Sequence, residues 1–344
     1  MKENEGVHVQ EVSSCLLCGS EGVLLYESLR DRLFSAPGSW DLMRCPECRL
    51  VWLNPRPMSE EIGKLYEGYF THKIDNRRPK FGRMRSIIKD SILAAYCGYN
   101  GLVSSPLQKR IGKVLSWIGP IREMVELSVM TLNGQNKGKL LDVGCGNGSF
   151  LAKMRELGWE VTGVELDGQA VKVAKEHFGL DVYEGTLEEV SFPDDTFDAI
   201  TMNHVIEHVP DPLSTLKECQ RILKKGGKLI VVTPNIESIG HRLFGKAYLH
   251  LDPPRHLYLF APGTLRACAE RAGLRILKLR TTARSARWMC AASYLIHRNG
   301  SLPGGSPKKQ SLWLRLAGLA FQVVEYRLCR LKDVGEELVL VATK

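Results

Sequence analysis

Midway along the chain an apolar run, KLLDV at residues 139–143, meets five residues paved with glycine, GCGNG, and a helical stretch begins near Ser149. That change of rhythm predicts a strand, a tight turn and a helix. The next apolar segment, WEVTGVELD, reads as a second strand that delivers an acid, Glu165, at its end. Further on, DDTFDAITMNHVIEHV predicts a strand closing at Asn203 and His204. RILKKGGKLIVVTPN predicts a helix end, a turn at Gly226 and Gly227, and another buried strand, and ELVLVATK reads as the closing strand. Residues 311–331, SLWLRLAGLAFQVVEYRLCRL, place apolar side chains at helical spacing with arginines at 315, 327 and 330. They suit a helix packed in the domain or one lying on a membrane interface. MSEEIGKLYEGYF at 58–70 predicts a helix and connector, and residues 71–132 alternate basic clusters such as NRRPKFGRMR with apolar groups, which predicts further helices. No apolar run reaches the roughly 18 residues needed to span a bilayer.

The glycine turn removes side chains where a ligand must approach backbone, and the helix after it points free N–H groups into the same space. A tight strand-to-helix connection that binds nothing would read the same way at this one motif. Glu165 changes the balance. It lies about 20 positions past the turn, where doubly wound folds place the acid that holds ribose hydroxyls, outside the carboxyl ends of the strands. The turn lacks the G-x-G-x-x-G spacing of a pyrophosphate site.

Taken together, LDVGCGNG, the acid closing the second strand, the FDAI strand and the LKKGGKLIVV strand resemble the motifs of class I S-adenosylmethionine-dependent methyltransferases, over about residues 139–280. The resemblance implies an α/β, Rossmann-like, seven-stranded doubly wound sheet whose last strand is antiparallel. It implies S-adenosyl-L-methionine as cofactor, with Gly144, Cys145, Gly146 and Gly148 lining its methionine and ribose and Asp142 near its amino group. Glu165, with Leu166 beside it, would hold the ribose. Thr186 and Leu187 follow the third strand, where the family often has an Asp beside adenine. Asn203 and His204, at the end of the fourth strand, would face the sulfonium.

Cysteine pairs at Cys15/Cys18 and Cys45/Cys48 add a second chemistry. Two C-x-x-C knuckles supply the four thiolates of a tetrahedral, structural Zn²⁺ site with no open position for substrate. The spacer, residues 19–44, exceeds the usual 15–20 or so, so the ribbon carries a long loop. The polar N-terminus MKENEGVHVQ has no signal-peptide pattern, which favours a reducing cytoplasm and thiolates over disulfides. The other cysteines have no ligand spacing.

With 344 residues and 44% hydrophobic content the chain can bury a substantial core. The expected organisation is a zinc ribbon at 1–57, a helical connector covering the substrate at 58–136, and the cofactor domain at 137–344 with an insertion at about 282–334. A net charge of +9 suits an anionic partner: a nucleotide sugar, a phosphorylated lipid carrier, a membrane surface or RNA. A solvated basic face would account for it equally.

Candidate bases are histidines, which titrate near neutral pH. His204 and His208 sit in NHVIEH, and His256 in HLDPPRHLYLF, where prolines stiffen the chain. That loop, with the C-x-x-C ribbon and LVWLNPRP, resembles a bacterial methyltransferase subgroup of sugar, polysaccharide and natural-product pathways. It suggests His256 as general base and Arg255 as partner of an anionic substrate group. Alternatively, Asp252 and Arg255 pair and His256 only caps a helix near Pro262. The leading expectation is methylation of a small or carrier-linked acceptor, at a sugar hydroxyl or carbon. RNA methylation, quinone or phenol O-methylation, and an inactive zinc-organised interaction protein are the alternatives.

Overall fold

The computed structural model describes residues 2–62, 65, 82–304 and 311–344. The chain divides into two units: Met1–Tyr69, Met202–Gln220 and Val231–Lys344 form the first, and Phe70–Thr201 with Arg221–Ile230 the second. Six short strands come early: β1 (Lys2–Asn4), β2 (Val7–Gln10), β3 (Val23–Leu29), β4 (Trp40–Arg44), β5 (Val51–Asn54) and β6 (Arg56–Pro57). Then follow β7 (Lys139–Val143), β8 (Glu160–Glu165), β9 (Asp181–Glu184), β10 (Phe197–Asn203) and β11 (Leu223–Pro234). The last three are β12 (Tyr258–Leu259), β13 (Arg275–Thr282) and β14 (Glu337–Thr343).

Seven of these strands make one sheet in the order β13-β14-β11-β10-β7-β8-β9. Strand β7 runs parallel to β8, with Leu141 opposite Thr162 and Val143 opposite Val164, and β8 runs parallel to β9. The closing strand β14 is antiparallel to β13. Strands buried on both faces read as continuous apolar runs rather than alternating ones. Accordingly Leu140, Leu141, Ile200, Leu229, Ile230, Val231 and Val232 are all fully buried. This is the Rossmann-like architecture that the motifs imply. One boundary differs: β11 begins at Leu223 and continues through Gly226 (φ 77°), so the two glycines bend the strand instead of preceding it.

A helix spans Ser149–Glu156 and packs Leu151 and Met154 inward. The next, Gly168–Phe178, is capped by Asp167, whose side chain accepts from the Gln169 N–H, and ends at Gly179 (φ 58°). Helices Ala286–Asn299 and Leu312–Leu328 lie between β13 and β14. The second of these buries Leu314, Gly318 and Glu325 and leaves Leu312, Trp313 and Leu316 exposed. In the second unit, helices Gly82–Tyr96, Pro106–Leu115 and Gly119–Leu127 precede β7. Of the helix expected at 58–70, Ser59–Ile62 is helical, and most of the remainder, like residues 76–81 of the basic cluster, lies outside the described residues. Among the described residues no helix is long and apolar enough to cross a membrane.

In the first unit, β12-β5-β4-β3 form a four-stranded sheet, so a strand some two hundred positions downstream completes the cysteine-bearing segment. Tyr258 pairs with Trp52 and Leu259 with Val51.

The strand β8 packs tightly under the glycine turn at Gly163, where an added Cβ would lie 2.6 Å from Cys145 Sγ and 2.8 Å from Leu151 Cδ1. Gly163→Ala is therefore expected to destabilise the protein by about 1–3 kcal/mol through overpacking, read as a lowered urea midpoint with an unchanged slope.

Candidate active site

In the second unit the turn after β7 takes left-handed conformations at Gly144 (φ 70°), Gly146 (φ 53°) and Gly148 (φ 78°). At Gly148 a side chain is also excluded by space, because a Cβ would meet Leu180 Cδ1 at 2.6 Å and Ala174 Cβ at 2.9 Å. Glu165, closing β8, reaches across to the turn. Its Oε2 accepts from the Gly146 N–H at 2.7 Å and its Oε1 from the Asp167 N–H at 3.0 Å. Burial raises the Glu165 carboxyl above its ordinary range, against the downward pull of these bonds. Leu166 beside it is 62% exposed.

Asp142 lies under the same turn, buried, with Oδ1 accepting from Thr201 Oγ1 at 2.6 Å. Burial, aided by the nearby Glu165 charge, pushes its carboxyl up to about 7 against the Thr201 hydrogen bond. A cation arriving there would reverse that penalty, so the turn fits a ligand with an ammonium group at one end and a ribose at the other. Cys145 is buried and its thiol is pushed up by that burial, in keeping with a spacer in the turn rather than a nucleophile.

Thr186 and Leu187, expected beside adenine, open the short helix after β9. Thr186 is the N-cap of the helix Leu187–Val190: its hydroxyl accepts from the Glu189 N–H while the Glu189 carboxylate accepts from the Thr186 N–H at 2.7 Å. Leu187 is buried. A capping box consumes the polar groups that a base would need.

In the first unit the four cysteines converge. Cys15 and Cys48 sulfurs are 3.4 Å apart, Cys18 and Cys45 3.3 Å, and Cys18 and Cys48 3.9 Å. A tetrahedron of thiolates about 2.3 Å from a zinc ion has edges of about 3.8 Å, so the donor set fits such an ion. The two knuckles are built alike: Gly19 N donates to Cys15 O, and Arg49 N to Cys45 O. Gly19 (φ 76°) and Arg49 (φ 69°) occupy the same left-handed position, which arginine adopts only under constraint.

A cluster of histidines and carboxylates forms the other polar centre of this unit. His204 follows β10 with φ 56°, a strained value for a side-chain-bearing residue, while Asn203 before it is exposed. His204 Nε2 is 3.2 Å from Glu337 Oε1, and its Nδ1 is 3.2 Å from Glu207 Oε1, although without hydrogen-bond alignment in the second case. Burial would push His204 down, but Glu207 and Glu337 outweigh it and bring it up to about 10. Glu207 in turn is held down to about 2, against burial, chiefly by His204. Its Oε2 accepts from Thr233 Oγ1 at 2.9 Å.

His208 and His256 are fixed through their Nδ1 atoms. Nδ1 of His208 is 3.0 Å from Arg255 O, and that of His256 is 2.7 Å from His250 O. A carbonyl can only accept, so each Nδ1 carries a proton. The two rings meet edge to face at 4.7 Å. Burial and the neighbouring His256 push His208 down to about 4, so it is neutral at pH 7. Ligand atoms of Glu207, His208 and His256 all lie within 4.8 Å of one another, an arrangement able to hold a proton or a metal ion.

Arg255 is not available to an anionic substrate, contrary to the expectation from its loop. Its side chain has no exposed surface. Nη1 and Nη2 donate to Asp31 Oδ2 and Oδ1 at 2.9 and 2.8 Å, while Nε and Nη2 donate to Asp252 at 3.1 and 2.5 Å. Nor does His256 cap the following helix: Thr264 closes the N-terminus of Pro262–Arg271, its Oγ1 accepting from the Ala261 N–H at 2.8 Å. Glu207, His250, Glu337 and Asp31 are the participants that sequence reasoning missed. The motif NHVIEH contained Glu207, but nothing local marked Asp31 or Glu337.

A family model for a methyltransferase domain matches residues 120–279. Over 178 residues the chain is 31% identical to a ubiquinone biosynthesis O-methyltransferase of Coxiella burnetii, covering 48% of this chain and 75% of the relative. It is 36% identical over 176 residues to an enzyme of the same name from Xanthomonas oryzae pv. oryzae, covering 48% and 72%. Among solved structures, a SAM-dependent methyltransferase from Archaeoglobus fulgidus aligns with TM-score 0.44 and 20% identity, covering 66% of this chain and 95% of that one.

The raised carboxyl of Asp142 has a thermodynamic consequence in the ligand-free protein. A group whose folded pKa exceeds its unfolded value of 3.8 contributes stability below that value, and the contribution is lost as pH rises toward about 7. Asp142→Asn should flatten this decline, measured as urea midpoints across that pH window.

Proposed function

The chain belongs to the class I S-adenosylmethionine-dependent methyltransferases, and from that premise we propose that it methylates an oxygen of a phenolic or quinol-type aromatic acceptor. What carries the reading is the trio of buried Glu207 and His256 with half-buried His208, in a chain whose matched relatives are named for O-methyl transfer in quinone biosynthesis. A hydroxyl must lose its proton as it becomes a nucleophile, and a histidine pair whose Nδ1 atoms are held by carbonyls, beside an ionised carboxylate, is suited to receive it. The relatives favour this acceptor over the sugar hydroxyl or carbon that the loop motif suggested.

S-adenosylmethionine, when bound, supplies a methyl group made electrophilic by the sulfonium. The protein's part is to bind and orient. Gly144, Gly146 and Gly148 offer backbone to the ligand, Asp142 pairs with the amino group, and Glu165 receives the ribose hydroxyls on lone pairs not used by Gly146 and Asp167. Leu166 flanks the same ligand. On the acceptor side the hydroxyl proton passes to Nε2 of His208 or His256, and Glu207 stabilises the imidazolium that results. His204, protonated at neutral pH by its two carboxylates, contributes fixed positive charge where the acceptor oxygen becomes negative. Cys15, Cys18, Cys45 and Cys48 hold a structural Zn²⁺ that takes no part in the chemistry.

The test is production of S-adenosylhomocysteine with separate pools of dihydroxybenzoates and other small phenols, nucleotide sugars, polyprenyl-linked glycans and total RNA. A product heavier by one methylene in the phenol pool is expected; turnover confined to a sugar pool would return the sugar reading, and turnover confined to RNA would reject both. His256→Ala and His208→Ala should each lower turnover by about 10²–10⁴-fold with unchanged affinity for S-adenosylhomocysteine. Glu165→Ala should weaken that affinity by about 10–100-fold in calorimetry. Elemental analysis of protein purified without chelator should find stoichiometric zinc, and its loss from a Cys45→Ser/Cys48→Ser variant.

A further inference from the structure

The cysteine ribbon and the loop that carries His256 are built as one object. Three separate links join them. The first is the β12–β5 pairing, extended by Leu53 N donating to Leu257 O at 3.0 Å. The second is Arg56, whose Nη1 donates to Tyr258 Oη at 2.9 Å. The third is the buried clamp of Asp31, Arg255 and Asp252.

Asp31 lies in the long spacer between the two cysteine pairs, directly after β3. Its carboxylate accepts from the N–H groups of Leu33 and Ala36 at 2.8 Å each and from Phe34 at 3.1 Å, so it organises the spacer as well as holding Arg255. Phe34 in that spacer also lies under the guanidinium, 5.0 Å from its carbon to the ring centroid. On the other side of the clamp, Arg255 O receives His208 Nδ1 and Asp252 O receives the backbone N–H of both Arg255 and His256. The Leu257 and Tyr258 N–H groups donate to Glu207 O at 2.8 and 3.1 Å. A shift of the Arg255 backbone therefore moves the hydrogen-bond acceptor that fixes the His208 tautomer, and with it the direction in which Nε2 points.

We propose that Asp31 is a positioning residue for the histidine pair, and that the four-cysteine ribbon serves to set the acceptor side of the site through it. Asp31 touches none of the proposed reacting groups; it acts through Arg255. This deepens the reading of His208 and His256 as proton acceptors and rests on it. A ribbon serving only as a separate docking module would have no reason to spend a fully buried carboxylate on this loop.

The experiment compares the wild-type chain with Asp31→Ala and Asp31→Asn, the latter keeping the acceptor oxygen for the spacer amides while removing the charge. Hydrogen–deuterium exchange should quicken by about tenfold or more in residues 249–259 of Asp31→Ala, with S-adenosylhomocysteine affinity within about twofold of wild type. Turnover of 3,4-dihydroxybenzoate, as a probe catechol, should fall in kcat by about 10–100-fold with an unchanged KM for S-adenosylmethionine, and Asp31→Asn should fall less. The kcat pH profile should also move in Asp31→Ala. Stripping metal from the wild-type ribbon with a mercurial and a chromogenic chelator should loosen the same residues. Unchanged exchange at 249–259 in both Asp31→Ala and stripped protein would overturn the coupling. Loosened exchange with wild-type kcat and pH profile would overturn positioning. If the wild type leaves the catechol untouched, the acceptor assignment fails separately, and the exchange arms still decide the coupling.

Discussion

A guanidinium with no solvent contact must be matched by carboxylates in the right plane, and the first unit is organised around meeting that demand at Arg255. Taking such a charge out of water costs several kcal/mol per ion, recovered only where geometry is close to ideal. Asp31 supplies a two-pronged partner and Asp252 a second one, so all three guanidinium nitrogens are directed at carboxylates. The constraint propagates. Asp252 adopts φ 33°, a left-handed conformation, to present both its carboxylate to Arg255 and its carbonyl to the Arg255 and His256 amides. Removing either acid would leave a buried charge short of a partner, so loss of one carboxylate is strongly destabilising.

Around that clamp the histidines divide by environment. His204, between two carboxylates, is driven up to about 10, whereas His208 and His250, facing other imidazoles in a buried setting, are driven down to about 4 and about 3. Four rings within a few ångströms thus include a fixed cation and neutral acceptors. Neighbouring titratable groups pushed in opposite directions are what acid–base chemistry requires, and the strain at His204 is of the kind found where geometry is set by function.

The second unit shows the complementary economy. Its glycine turn is held by Glu165 from the next strand, whose carboxylate is oriented by backbone N–H groups on both oxygens. Asp142, buried beside the Thr201 hydroxyl, keeps its carboxyl well above the ordinary carboxylate range. Folding and ligand recognition here draw on the same few polar contacts.

The sequence marked the glycine turn with its acid and the paired cysteines through local periodicity and fixed spacing, and the doubly wound sheet through the family resemblance that its motifs carry together. It also marked NHVIEH and the proline-stiffened histidine loop as places of interest. It did not determine what Arg255, Thr186 or Asp31 do. Thr186 became a cap because Glu189 stands three residues on, and a capping box competes directly with ligand contact. Arg255 became a clamp because the fold brings Asp31 to it from more than two hundred residues away. The pairing of Arg255 with Asp252, three residues away, is legible along the chain, whereas that with Asp31 is settled by chain topology, and no pattern of neighbours carries it.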